Sequence, residues 1–398
     1  MHGQITLGDI FSRYGEGYIS NNHVSAGEKG LIRLLSSCRT QFMGSHFEKC
    51  DQCGYTGKAF NSCRNRHCPC CQHKDKLQWM EKRMQELLDV GYYHLVFTIP
   101  RELNPLCLAN KKVMYDILFK AASGTLLELT RDVRHLGAET GLISVLHTWG
   151  QNMCGHPHLH CIMPVGGLSF DKGHWVHVRD KNDFLVHYKV LSEKFLYLLK
   201  HAYSSGSLQL KGKLACLSGK KSFAVFLSKL YKKGWVVNIQ APLGNPAKVL
   251  EYLSWYVFRV AISDRRILDV KDGKITFSFK DYRTGLFRRM SLTTDEFIRR
   301  FLIHVLPKGF FKVRYYGVFS SRYRKENILM CKTILKQDLA IARQEALEDG
   351  CAIWQRPDTV WDEILLLIDG FRKPNCPVCK QGFLHFAGIV PGHLVKPG

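Results

Sequence analysis

The chain has 398 residues, 45% of them hydrophobic, which is enough for two or three cores. Its 57 Lys and Arg against 34 Asp and Glu leave a formal charge of +23, and with 12% aromatics this favours a phosphate-bearing partner. No apolar run of about 18 residues could span a bilayer, and Met1-His2-Gly3-Gln4 lacks a charged-then-apolar leader, so a cytoplasmic protein with no membrane partner is expected. Six of the 15 cysteines, Cys50, Cys53, Cys63, Cys68, Cys70 and Cys71, crowd into one segment, which in a reducing compartment argues for zinc rather than disulfides.

Residues 1–45 read as a helical lead-in, with Ile32, Leu34 and Leu35 among Arg33, Arg39 and small polar residues. Cys50-Asp51-Gln52-Cys53 and Cys68-Pro69-Cys70-Cys71 follow, with residues 54–67 between them. Two such knuckles each offer two sulfurs from a tight turn, so Cys50, Cys53, Cys68 and Cys71 are expected to hold one structural Zn2+. Cys63, His67, Cys70 and His73 lie close enough in sequence to replace a ligand or to hold a second ion, and stay unassigned. Arg64, Arg66, Lys74 and Lys76 give this segment a basic face for DNA, or a solvated surface around a folding staple.

A helix is predicted over 76–88, a buried strand over 92–100 stopped by Pro100, and helical pattern over 106–136. Strands 141–149 and 161–165 then flank His156-Pro157-His158-Leu159-His160, with a polar turn over 151–155. In an extended strand His158 and His160 share a face while Leu159 packs beneath. A hairpin closed at that turn brings Gln151 opposite His158, where its amide oxygen completes a three-ligand metal site; His147, His156 or Glu251 are alternatives.

Further on, 190–203 reads as helix and 235–239 as strand. Gly219-Lys220-Lys221-Ser222 is no phosphate loop, since Leu214 stands where the motif needs Gly. Asn245 and Pro246 open a helix that carries Tyr252 and Tyr256 on one face. A hairpin turns at Asp272-Gly273 into a strand over 274–280, and Thr294-Asp295-Glu296 caps a helix running toward 306. Basic residues alternate with aromatics over 311–325, a pattern that suits DNA as well as a plain edge strand. Cys376-Pro377-Val378-Cys379 is a lone knuckle whose distant candidate partners are Cys331 and Cys351.

The expected class is α+β, an antiparallel sheet with helices packed on it, preceded by a zinc module. The expected division is 1–45 helical lead-in, 46–90 zinc-binding module, 91–306 catalytic core and 307–398 basic C-terminal region. A histidine pair, a tyrosine pair and a basic chain together suggest phosphoryl transfer. A phenol with a pKa of about 10 is a poor nucleophile near neutrality and needs an electrophile polarised by a divalent ion. Attack on a phosphodiester leaves a phosphotyrosine and a free 3′-hydroxyl, and the stored linkage energy permits rejoining without ATP.

His156-Pro157-His158-Leu159-His160, Asn61-Ser62-Cys63-Arg64-Asn65-Arg66-His67-Cys68-Pro69 and the stretch Tyr252-Leu253-Ser254-Trp255-Tyr256-Val257-Phe258-Arg259 resemble the rolling-circle transposases of the insertion sequence 91 family. The likeness continues through Phe297-Ile298-Arg299-Arg300-Phe301 and His304-Val305-Leu306-Pro307-Lys308-Gly309-Phe310, so it covers most of 45–320 in order. It implies a His-hydrophobic-His nuclease core in which His158 and His160 carry Mg2+ or Mn2+ and Tyr252 and Tyr256 are nucleophiles. It implies action on single-stranded DNA at transposon ends and target, with strand separation left to host replication or helicase functions. Departures are Val257 where the family usually has Thr, and Cys70 where Lys is usual. The competing functions are a plasmid or phage replication initiator with the same nicking chemistry, and a zinc-dependent DNA-binding regulator without catalysis.

Overall fold

Reciprocal caps open the chain. Thr6 and Asp9 close a capping box at the start of α1 (Leu7–Asn21), and Ser25 and Glu28 do the same for α2 (Ala26–Ser36). The computed structural model describes residues 4–72, 76, 79–80, 82–83, 86–178, 188–233, 235–243, 249, 253–254, 256–281, 284–348 and 376–390. The named strands are β1 (Ser45–Cys50), β2 (Thr56–Phe60), β3 (Tyr92–Thr98), β4 (Gly141–Trp149), β5 (Gly155–Pro164), β6 (Gly167–Leu168), β7 (Trp175–Val176), β8 (Val236–Leu243), β9 (Ile267–Lys271), β10 (Lys274–Lys280), β11 (Phe287–Thr293), β12 (Val313–Gly317) and β13 (Leu384–Val390). The later helices are α3 (Asn104–Ala109), α4 (Lys111–Arg131), α5 (Tyr188–Ser204), α6 (Lys220–Tyr231), α7 (Thr294–Leu302) and α8 (Arg324–Glu348).

The expected α+β class holds: an antiparallel sheet of order β12-β4-β5-β3-β8 has helices on one face. Leu95 and Phe97 of β3, Leu142 and Leu146 of β4, and Leu159, Cys161 and Met163 of β5 point into a core with Leu118, Phe119, Ala122 and Leu126 of α4 and Leu191, Phe195 and Leu199 of α5. The alternate positions, Tyr92, Ile143 and Ile162, join a second core with Val249, Leu253 and the start of α8. That double burial explains why β3 reads as a nearly unbroken apolar run. A third core packs α1 and α2 against Ile275 and Phe277 of β10 and Phe297, Ile298 and Phe301 of α7.

Several boundaries differ from expectation for visible reasons. The helical pattern over 106–136 breaks at Asn110 (φ −128°, ψ 43°), whose side-chain amide donates to the Leu106 and Gln209 carbonyls while its oxygen accepts from the Gln209 N–H at 2.6 Å. Thr293, not Thr294, caps α7, its hydroxyl accepting from the Glu296 N–H at 3.3 Å, and the helix stops at Leu302. The Asp272-Gly273 turn forms as expected, with φ of 49° and 68° at its two central residues. The expected start of the helix at Asn245 and Pro246 lies outside the described residues.

The C-terminal region adds strands to sheets begun earlier: β12 pairs with β4, and β13 pairs with β1. The basic-aromatic stretch is largely engaged in packing. Arg314 pairs with Asp116 at 2.5 Å and lies 4.1 Å from the Phe119 ring centroid, while Arg324 reaches Glu86 and the Tyr315 ring. Among the described residues no helix is long and apolar enough to cross a membrane. Leu159 is fully buried between two metal-ligand candidates. Leu159→Ala is expected to lower unfolding free energy by roughly 2–5 kcal/mol, the usual cost of a large-to-small core change, as read by a denaturant midpoint shift.

Candidate active site

Strand register decides which side chains meet. His158 pairs with His147 across β4–β5, His160 lies opposite Val145 and Val96, and Ile162 lies opposite His94. With a two-residue side-chain period, His94, His147, His158 and His160 therefore share one face of the sheet. The ligand atoms of His147, His158 and His160 all lie within 4.8 Å of one another.

Gln151 does not take the third position. The turn occupies the residues between Trp149 and Gly155, so the residue brought opposite His158 is His147. Gln151 stays in the turn, where its carbonyl accepts from Arg266. His156 is exposed, and its carbonyl accepts from His158 Nδ1 at 2.6 Å; Glu251 lies outside the described residues.

Hydrogen bonds fix the tautomers of all three rings. His158 donates through Nδ1, which leaves Nε2 with its lone pair. His147 donates through Nε2 to the Tyr256 carbonyl at 2.7 Å, which leaves Nδ1. Gln240 Oε1 accepts from His94 Nδ1 at 2.9 Å, so His94 Nε2 accepts in turn from His160 Nδ1 at 3.0 Å and His160 keeps Nε2. Each ring thus donates one N–H to an outer partner and keeps one lone pair, the state a metal ligand requires.

Burial keeps the rings neutral. Desolvation, reinforced by neighbouring histidines and Arg259, holds His160 far below its ordinary range, and desolvation also holds His147 well down. The half-buried His158 is lowered to about 4, again chiefly by desolvation. Three neutral imidazoles whose ring nitrogens gather within 4.8 Å of one another fit a divalent cation, which need not displace protons near neutrality.

The expected helix brings one of its two tyrosines to this cluster. Leu253, Ser254, Tyr256 and Val257 are helical, and the Tyr256 ring lies 3.9 Å from the His160 centroid and 5.5 Å from that of His147. Tyr252 lies outside the described residues. A small basic cavity of about 20 Å³ adjoins, lined by Arg66, Arg259, Lys312, Trp149 and His304. Arg66 donates to the Phe310 and Pro307 carbonyls, and burial together with the Arg66 charge lowers Lys312 to about 8. His304 closes its floor: its Nε2 donates to the Met153 carbonyl at 2.9 Å and its Nδ1 accepts from the Thr148 hydroxyl at 3.2 Å.

The cysteines group differently from the single site expected of Cys50, Cys53, Cys68 and Cys71. Cys68 and Cys71 converge with Cys38 and Cys63, whereas Cys50 and Cys53 converge with Cys376 and Cys379. The reason is that Cys50 ends β1 on a sheet edge shared with β13, while Cys68 and Cys71 are buried in the core of α1, α2 and α7. In the first group Cys71 Sγ lies 3.6 Å from that of Cys38 and 3.5 Å from that of Cys63, close to the edge of roughly 3.8 Å that Zn–S bonds of 2.3 Å give a tetrahedron. Cys70 points elsewhere, donating to Asp264 at 3.3 Å, and His67 lines the basic cavity; His73 lies outside the described residues. Cys331 lies on α8, buried in a hydrophobic core and outside the group at Cys376, and Cys351 lies outside the described residues.

Residues 141–327 match the family described as putative transposase, and residues 10–99 match the transposase zinc-binding domain. The chain is similar to putative transposase y4qJ of Sinorhizobium fredii, 42% identical over 397 residues, covering 98% of this chain and 97% of the relative. It is also similar to the transposase for insertion sequence element IS801 of Pseudomonas savastanoi pv. phaseolicola, 26% identical over 302 residues, or 74% and 71% of the two chains. No solved structure matches. The chain belongs to the insertion sequence 91 family of transposases, acts on DNA, and carries that family's zinc-binding module.

Sequence reasoning had no view of His94 and Cys38. Cys38 was visible as a further cysteine just upstream of the knuckles, whereas nothing local marks His94, whose role depends on cross-strand register. His94→Ala is expected to weaken Mn2+ binding 10- to 100-fold with the fold retained, measured by calorimetry. Acid should also test His304, whose ring is lowered to about 4 by burial against 6.5 unfolded. The unfolded chain then binds the extra proton, so this stabilisation is complete above about pH 6.5 and lost as pH falls toward 4, at most roughly 3 kcal/mol. His304→Gln should flatten that limb of the stability profile by up to one proton.

Proposed function

We propose that this transposase cleaves and rejoins single-stranded DNA through a covalent 5′-phosphotyrosine, moving one strand at a time as in rolling-circle transposition. The observation that carries the reading is the packing of the Tyr256 ring on His160, in a helix whose carbonyl at the same residue is bound by His147. On this reading His147, His158 and His160 hold Mg2+ or Mn2+, which supplies positive charge to the scissile phosphate when bound.

The chain's own groups do the rest. The phenol oxygen of Tyr256 or Tyr252 forms a bond to phosphorus as the bond from phosphorus to the 3′ oxygen breaks. In net balance the phenolic proton ends on the leaving 3′-hydroxyl. Reversal by another 3′-hydroxyl restores a phosphodiester and frees the tyrosine, so no ATP is consumed. Two tyrosines permit one to hold the donor end while the other opens the target strand. The exposed Arg259 beside Tyr256 would meet a flanking phosphate, and such charge contacts make binding salt-dependent. Strand separation falls to host replication or helicase functions.

The test is a labelled single-stranded oligonucleotide carrying a transposon end, incubated with protein and Mn2+ or Mg2+. A denaturation-resistant adduct is expected. Tyr252→Phe with Tyr256→Phe should abolish it while DNA binding persists, and His158→Ala should reduce cleavage at least 100-fold with the fold intact. Retained cleavage in the double tyrosine variant excludes the mechanism, and a wild-type protein that binds without any adduct is a regulator instead.

A further inference from the structure

The sheet β13-β1-β2 presents a physical problem that its cysteines resolve. None of its strands contributes to any of the three hydrophobic cores. Side chains stand exposed on both of its faces, Phe47, Lys58 and Phe60 on one and Phe386 and Ile389 on the other. A three-stranded sheet that buries neither face lacks the apolar contact that makes such a sheet stable by itself. Yet β1 and β13, joined across most of the chain, pair antiparallel from Ser45–Val390 to Cys50–Leu384, with one bulge between Phe47 and Glu48.

The end of that pairing is the second cysteine group. Cys50 Sγ lies 3.7 Å from Cys379 Sγ, and Cys53 Sγ lies 3.6 Å from Cys376 Sγ. Those separations are far beyond a disulfide bond of about 2.0 Å and close to the roughly 3.8 Å edge of a zinc–thiolate tetrahedron. The two knuckles use matching backbone bonds three residues on: Cys53 N–H donates to Cys50 Sγ at 3.5 Å, and Gly382 N–H donates to Cys379 Sγ at 3.3 Å. Gly382 must be small, because a Cβ there would stand 2.5 Å from Cys50 Sγ. Asp51 adds a polar latch, accepting from the Phe383 N–H and from His385.

We propose that Cys50, Cys53, Cys376 and Cys379 form a second structural zinc site, closed only when the C-terminal knuckle docks on the N-terminal one, so that each chain holds two zinc ions. The four thiols lose their protons to solvent and bind as thiolates, and no redox change occurs. The ion takes the place of a core for this sheet and fastens the two ends of the chain together.

Full-length protein tests this by zinc content and by cysteine reactivity. Elemental analysis should give two zinc ions per chain, and Cys376→Ser with Cys379→Ser should give one. In the wild-type protein, Cys53 is exposed like Cys154 and Cys216, yet only the latter two should be alkylated rapidly. A chelator should release Cys50, Cys53, Cys376 and Cys379 together, read by peptide mass spectrometry. One zinc per chain in the wild type, two retained in the double variant, or Cys53 and Cys379 alkylated as fast as Cys216 would each overturn the proposal. So would a disulfide found within the group.

Discussion

Everything at the candidate active site depends on the antiparallel register of β3, β4 and β5. Shifting any one of these strands by a single residue would turn its histidines into the helix-covered core. The register is held by what lies underneath: Leu95, Phe97, Leu146, Leu159 and Cys161 fill the opposite face against α4 and α5. Apolar burial on one side thus fixes polar geometry on the other, and the alternation that reads as a simple strand pattern also orients the ligands.

Neutrality and orientation come from a second layer. A buried imidazole without partners would be free to flip or exchange tautomers, and its lone pair would have no fixed direction. Here the outer nitrogens donate to the His156 carbonyl, the Tyr256 carbonyl and His94, and His94 is itself anchored by Gln240 of β8. Four strands and one helical segment therefore contribute to one cluster, although only two of its residues are neighbours in the motif that announces it.

How much of this was legible in the sequence follows from how local each feature is. The shared face of His158 and His160 follows from strand geometry over three residues, and the Asp272-Gly273 hairpin and the α+β class follow from patterns of similar range. Gln151 was placed opposite His158 by assuming a tighter turn; the longer one brings in His147, and only strand pairing reveals that. The cysteine grouping failed for a related reason. Sequence spacing joins the two nearest knuckles, whereas Cys50 and Cys53 sit on a sheet whose third strand comes from the C-terminus, and Cys68 and Cys71 sit in a core built by α1, α2 and α7. Spacing measures the chain between ligands and says nothing about which sheet or core each pair belongs to.

The bond from His147 to the Tyr256 carbonyl links the proposed nucleophile to the proposed metal ligands through one imidazole. His147 Nε2 holds the helix while its ring stands in the cluster, so the placement of the tyrosine helix and of one candidate ligand depend on the same ring. A cation that draws electron density from Nδ1 makes the Nε2 proton more acidic and its bond to the carbonyl stronger. On the proposed reading, an ion held here would tighten the attachment of the tyrosine helix, and an ordered helix would in turn present His147 in the tautomer that ion needs. In that proposal the same imidazole would couple charge at the phosphate to placement of the attacking oxygen, a coupling that an amide held in the turn could not provide.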